Sequence, residues 1–229
     1  MNEQTREALK KLTFLYKPYS ALKTSYVVKR RIRAVHSEGY AMTGDICSAL
    51  EKRGISVFCA FGTLLGIIRD QDFVKTDSDL DFGILAAPDF SWETLEEALA
   101  ELGLRKDHQY TAQGQILEQT YRKGYLSIDF FLYEAAGDEL VAQVTFRDET
   151  AHYDDENEYS IMYRFAPPIP AIKALSFHGA RVLIPENAEA YAERVYGPGW
   201  RVPDPGYDYK KERNVAKDKT ARYESFGKA

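Results

Sequence analysis

Cysteine is scarce: Cys47 and Cys59 are the only two in 229 residues. They are too few for a disulfide framework and lack metal-type spacing, so both read as reduced thiols in a core. The four histidines, His36, His108, His152 and His178, are dispersed without ligand spacing, which argues against zinc. No apolar run approaches the roughly 20 residues that a spanning helix needs. The N-terminal MNEQTREALKKL has no apolar stretch of signal-peptide type, so the expected location is the cytoplasm. A formal net charge of −5 gives no reason to expect affinity for nucleic acid in general. Internal repeats are lacking too. What remains is 45% hydrophobic and 28% charged residues, enough to bury one full domain, with or without an appended subdomain.

The charge is unevenly spread. Arg6, Lys10, Lys11, Lys17, Lys23, Lys29, Arg30, Arg31 and Arg33 are opposed in the first 37 residues only by Glu3 and Glu7. Two readings fit this basic segment: a solvated helix face, or a surface for anionic lipid or a phosphate-bearing substrate.

Helical spacing predicts a helix from about Thr5 to Tyr16, a break at Pro18, and a second helix from near Tyr26 to Lys52, interrupted around Gly39. ISVFCAF, Ile55 to Phe61, reads as a buried strand and leads into GTLLGIIR, a Gly-Thr turn and a short apolar helix. Ser91 and Gly103 bracket a further helix. Strand patterns follow at about Leu104–Tyr110, Gln115–Tyr121, Leu126–Tyr133, Glu139–Phe146 and Tyr159–Phe165, implying a mixed or antiparallel sheet. Pro167, Pro168 and Pro170 mark a bend. A short strand around Ala180 to Ile184 then precedes a helix in PENAEAYAERVYG. From Tyr209 onward the tail reads as a docked helix or a loosely held extension.

The stretch TDSDLDF, Thr76 to Phe82, places Asp77, Asp79 and Asp81 at alternate positions at the start of a strand. Residues two apart share a face, so Asp79 and Asp81 repel each other unless a cation lies between them. Asp129, in YLSIDFFLY, adds a third acid between apolar neighbours, where an unpaired carboxylate is costly to bury. Oxygen donors of this kind suit Mg²⁺ or Mn²⁺ completed by water and phosphate oxygens, and point to phosphoryl transfer. The bland alternative is a charged turn entering a strand. An EF-hand fails, because the sixth and twelfth positions from Asp77 are Phe82 and Pro88 rather than glycine and glutamate.

FGTLLGIIRDQDFVKTDSDLDFGI resembles the signature of the LicD/fukutin-related family, whose members read close to GTLLGxxRxxxFIPWDxDxDI. SIDFFLY resembles the family's later acid-bearing strand, and FHGARVLIPENAEAYAERVYGPGWRVP its C-terminal signature. The likeness runs from about Val57 to Pro203. The chain departs from it at Lys75, Thr76 and Asp70, where proline, tryptophan and histidine are common. The resemblance implies an α+β fold, a polymerase-β-like nucleotidyltransferase core with a mixed or antiparallel sheet and flanking helices. It divides the chain into an N-terminal helical segment, 1–54, a catalytic domain, 55–208, and a C-terminal tail, 209–229. It also implies a transferase that moves phosphocholine or a polyol phosphate from a CDP-linked donor to a glycan hydroxyl in surface polysaccharide synthesis.

Carried over by position, Asp79 and Asp81 would hold Mg²⁺ or Mn²⁺, and Asp129 would complete the metal site or act as base. Asp77 would orient the loop or bind a second ion. Gly62 and Thr63 would approach phosphate, with an ordinary strand-to-helix turn as the alternative. Arg69 would pair with phosphate or with one of the acids. Arg122 and Lys123 read as a solvated turn, and Tyr153, Tyr159 and Tyr163 as sheet packing in preference to a choline or sugar pocket. The basic run Lys29, Arg30, Arg31, Arg33 is left for a lipid-linked acceptor at a membrane surface. The competing functions are transfer of NMP from an NTP and a catalytically silent glycan- or nucleotide-binding subunit. Intact acids argue against the second, and YGPGW against the first.

Overall fold

A computed structural model describes residues 3–148, 151–208 and 215–226, with the backbone alone for 3–24 and 215–219. The first element is a single helix, α1, Glu3–Glu51. The predicted break at Pro18 does not occur: proline costs a helix one backbone hydrogen bond, about 3 kcal/mol, but its fixed φ is itself helical. The predicted interruption at Gly39 is absent as well. A Cβ there would stand 3.1 Å from the Phe73 ring, so the glycine serves close packing within a continuous helix. From Ala34 onward Val35, Met42, Ile46, Cys47 and Leu50 repeat at helical spacing and are buried.

Strand β1, Val57–Cys59, is shorter than predicted, because Phe61 already opens helix α2, Phe61–Leu65, which continues as a π-helical turn, Gly66–Asp70. Strand β2, Leu80–Leu85, carries the acidic motif into the sheet. Helix α3, Trp92–Glu101, is capped by Ser91, whose Oγ accepts from the amides of Glu93 and Thr94. Next come β3, Arg105–Ala112, β4, Gln115–Lys123, β5, Leu126–Ala136, β6, Glu139–Phe146, and β7, Glu158–Ala166. The proline bend leads to a hairpin of β8, Ile172–Phe177, and β9, Ala180–Pro185. Strand β8 escaped prediction because Lys173 to Ser176 are exposed and show no core-facing alternation. Helix α4, Ala188–Tyr196, and strand β10, Val215–Ser225, complete the described chain.

The fold is α+β, but its sheet closes, which the expectation of a mixed or antiparallel sheet did not contain. Its order is β1-β2-β5-β4-β3-β10-β7-β6, and β6 pairs back onto β5. The length of β5 makes this possible: Ile128 to Tyr133 pair with β2 in parallel, and Tyr133 to Ala136 pair with β6 antiparallel. The tail expected as a helix or loose extension contributes β10 instead, seated between β3 and β7. A barrel has no sheet edge, so this strand satisfies backbone groups that β3 and β7 would otherwise leave open. The main core lies between the sheet and α1, α3 and α4. It includes Phe58, Phe82, Phe130, Tyr121, Tyr133 and Tyr191, all fully buried. Cys47 and Cys59 are buried free thiols within it, as predicted.

Candidate active site

Strand register places the acids. Asp81 on β2 is paired with Asp129 on β5, and Asp129 with Thr120 on β4, so the three side chains form one row on a single face of the sheet. The Thr120 hydroxyl donates to Asp129 Oδ1 at 2.6 Å. Asp77 and Asp79 lie in the loop before β2, which begins only at Leu80, so the strand face expected to be shared by Asp79 and Asp81 does not form. All four aspartates line a cavity of about 310 Å³, together with Gly62, Phe61, Glu118, Phe131, Arg164, Tyr196 and Tyr207.

The Gly62–Thr63 turn grips the acidic strand. The Gly62 amide donates to Asp81 Oδ2 at 3.1 Å, and the Asp81 amide donates to Thr63 Oγ1 at 2.8 Å. Thr63 is buried and faces β2, whereas Gly62 lines the cavity. A Cβ on Gly62 would lie 2.5 Å from Asp77 Oδ2 and 3.3 Å from Asp81 Oδ2. Glycine thus leaves the room that two carboxylates need. Phe61, just before it, has a φ of 37°, uncommon for a residue with a side chain. Its amide donates to the Tyr191 hydroxyl, which lies 2.5 Å from that of Tyr133. Trp200 of the YGPGW stretch packs against Leu65 and Ala192 behind the same turn.

The electrostatics follow from enclosure and like charge. Burial first, then Asp79, pushes Asp77 up to about 7, with Arg69 opposing. Asp129 is likewise raised to about 7 by burial and by Asp79, with Thr120 opposing. Asp81 is held well above the usual carboxylate range by burial, then by Asp79, Asp129 and Asp77. Burial also raises Asp79, against the pull of Arg31. These groups remain partly open to the cavity. Carboxylates crowded this way favour protonation or a shared cation. Among the described residues, no three His, Cys, Asp or Glu side chains converge as a ready-made metal cage. Mg²⁺ takes carboxylate oxygens and completes its shell with water and substrate phosphates. The donor set, oxygen only, fits such an ion.

Other candidates fall elsewhere. Arg69 makes a two-pronged pair with Asp70, Nε to Oδ1 at 2.9 Å and Nη2 to Oδ2 at 2.7 Å. Lys123 donates to the Leu102 carbonyl, while Arg122 is part-buried beside Asp107. Tyr153 and Tyr159 stack against Arg147. The fold brings His36 Nδ1 and His178 Nε2 each to 3.9 Å from the same oxygen, Asp72 Oδ1, a proximity their sequence separation conceals.

Sequence reasoning missed several cavity residues, polar ones among them. Glu118 is buried, receives a hydrogen bond from Thr145 at 3.2 Å, and is raised well above the carboxylate range by burial and by Asp129. Its signal was faint: an acid two positions before Thr120 in an otherwise sheet-like run. Arg164 of β7 is also buried, with its guanidinium 5.5 Å from the Phe61 ring centroid and Nη2 donating to the Tyr207 hydroxyl at 3.2 Å. Tyr196 and Tyr207 reach the wall from the C-terminal region, which no local pattern foretells.

An acid row and a glycine turn thus line one partly open cavity on an α+β scaffold. Residues 54–187 match the LicD/FKTN/FKRP family, nucleotidyltransferase domain, and the chain belongs to that family. A stretch of 69 residues, 30% of the chain, is 32% identical to Uncharacterized protein RT0683 of Rickettsia typhi (strain ATCC VR-144 / Wilmington), and spans 22% of that protein's length. Among solved structures, the crystal structure of ANT(2″)-Ia in complex with adenylyl-2″-tobramycin is similar with a TM-score of 0.42 and 15% identity. That similarity covers 76% of this chain and 83% of the other.

Proposed function

We propose that the protein is a metal-dependent transferase that moves a phospho-alcohol group, phosphocholine or a polyol phosphate, from a CDP-linked donor to a glycan hydroxyl. The observation that carries this reading is the row Thr120–Asp129–Asp81, whose two acids line a cavity beside Gly62, in a chain of the LicD/FKTN/FKRP family. Asp79 and Asp81 would hold Mg²⁺ or Mn²⁺, with Asp77 and Asp129 as further donors. When bound, the ion would neutralise charge on the donor's diphosphate and on the departing CMP.

The protein's own groups do the rest. Gly62 donates its amide to Asp81 and so fixes one carboxylate oxygen. Thr120 does the same for Asp129. Asp129 would either complete the metal site or accept the acceptor hydroxyl's proton. Phe61, Phe131, Tyr196 and Tyr207 supply an apolar wall that limits water around the reacting groups. On α1, Lys29, Arg30 and Arg33 are exposed, consistent with a lipid-linked acceptor at an anionic membrane surface on the cytoplasmic side. Among the described residues no helix is long and apolar enough to cross a membrane.

A thermal-shift screen of CDP-choline, CDP-ribitol, CDP-glycerol, CDP-ethanolamine and NTPs, each with Mg²⁺, tests the reading. A CDP-alcohol should raise the unfolding midpoint in proportion to ln(1 + [L]/Kd) and do so only with the metal. Stabilisation by an NTP and by none of the CDP-alcohols would replace this reaction with NMP transfer.

A further inference from the structure

Beyond the acid row, at one end of β4, the sheet meets α1 through two arginines. Arg122 lies two residues past Thr120, so its side chain leaves the face that carries Thr120 and Asp129. Its Nε is 2.9 Å from Asp107 Oδ2, the same oxygen that lies 2.8 Å from His108 Nδ1. Helix α1 reaches this end of β4 by stacking Arg30 over Tyr125, in the turn between β4 and β5, 5.6 Å from the ring centroid. Arg31 is the next residue. Lys29, Arg30 and Arg33 are exposed, whereas Arg31 is half-buried, and its enclosed Nε has no hydrogen-bond partner among the described residues.

That arrangement is unfavourable by itself. Burial lowers the Arg31 pKa and Arg122 lowers it further, while Asp129, Asp79 and Asp107 draw it back. A desolvated N–H without an acceptor costs free energy, and two cations close together repel. One polyvalent oxyanion would relieve both defects, and the planar guanidinium fork matches phosphate oxygens in pairs. Asp79 and Asp129 act on Arg31 electrostatically and would oppose an anion there, so a divalent cation at the acids would strengthen its binding.

We propose that Arg31 and Arg122 form a phosphate-binding site on the α1–β4 side of the acid cavity, taking a phosphate or diphosphate group. The site stands on this geometry and not on the identity of the donor. The group would belong either to the activated donor or to a phosphate-bearing acceptor; the chemistry of recognition is the same.

Isothermal titration with inorganic pyrophosphate, with and without Mg²⁺, tests it on the full chain. Wild type should bind saturably with Mg²⁺, and Arg31→Gln and Arg122→Gln should each weaken binding at least about tenfold. Lys52→Gln, at an exposed position just past the end of that helix, should leave it unchanged. Thermal unfolding checks each fold. Should Arg31→Gln not fold, Arg31→Lys, which keeps the charge and loses the fork, is read in the same titration and should be weaker than wild type. Equal affinity in wild type and both Arg variants, or an equal loss in Lys52→Gln, would overturn the site. Titration with CDP then assigns the source. Competition with pyrophosphate, and a matching loss in Arg31→Gln, supports a donor phosphate; simultaneous binding with CDP affinity unchanged supports an acceptor phosphate. Because pyrophosphate is neither donor nor acceptor, failure of the CDP-alcohol reading leaves this result standing.

Discussion

Replacing Gly62 with alanine separates the chemistry of the cavity from the stability of the fold. Gly62 lies in the first turn of α2, where alanine gains up to about 1 kcal/mol of helix propensity. The new Cβ would stand 2.5 Å from Asp77 Oδ2 and 3.3 Å from Asp81 Oδ2. The closer atom is the end of a side chain, and Asp77 can turn aside at a cost of about 0.5–1.5 kcal/mol for a strained rotamer. Gain and cost nearly cancel, so the unfolding midpoint should move by no more than about 4 °C, roughly 1 kcal/mol in a chain of this size. Activity has no such compensation. A methyl group at the cavity wall displaces one carboxylate and crowds another, and a misplacement of about 1 Å in a catalytic arrangement can cost on the order of 100-fold. Gly83→Ala is the contrast: its Cβ would lie 2.3 Å from Cζ of the buried Phe58 ring, so the damage falls on packing, about 1–3 kcal/mol. Thermal unfolding and initial transfer rates are measured on both variants. Wild-type turnover in Gly62→Ala, or a midpoint loss equal to that of Gly83→Ala, would refute the assignment of Gly62 to the site.

Asp81→Asn keeps the shape of the row and removes one charge from it. The metal-free protein should therefore melt higher than wild type, lose its Mg²⁺-dependent stabilisation by a CDP donor, and turn over at least about 100-fold more slowly; a lower midpoint with normal turnover would contradict the repulsion argued here. Asp72 accepts from the Tyr40 hydroxyl at 2.6 Å and from the Phe73 amide at 2.8 Å, and the Tyr40 bond foremost holds its pKa below the ordinary aspartate range. A carboxyl lowered in the folded state loses its proton there at a pH where the unfolded chain still holds one. Its contribution to stability is full above the unfolded value and lost as the pH falls through the folded one. Asp72→Asn should thus flatten the acid limb of a midpoint-versus-pH curve below about pH 4, and an unchanged limb would count against the bond. Deleting the chain from Val215 onward leaves β3 and β7 without their shared partner. Urea unfolding should then lose its single cooperative transition, and an unaltered midpoint and slope would show that β10 is dispensable.

Local chemistry in the sequence was enough to locate the acids and the elements that carry them. Alternation along TDSDLDF and YLSIDFFLY, with a period of two, put Asp81 and Asp129 on strands, and Ser91 announced the start of α3, because each depends on residues only a few positions apart. Family likeness then joined those pieces into one site. What the chain does at long range was not legible in this way. Closure of the barrel depends on β10 pairing with β3 and β7, and on β5 being long enough to serve both β2 and β6. These are choices of register between distant strands, and neither propensity nor alternation encodes them. Tertiary structure alone turned Thr63 inward to hold the Asp81 amide and placed Glu118, Arg164, Tyr196 and Tyr207 around one cavity. It also separated Arg31 from its exposed neighbours Lys29, Arg30 and Arg33. In sequence those four are one basic run; on a helix packed against a sheet, the direction each side chain leaves the axis decides which meets water and which meets the acids.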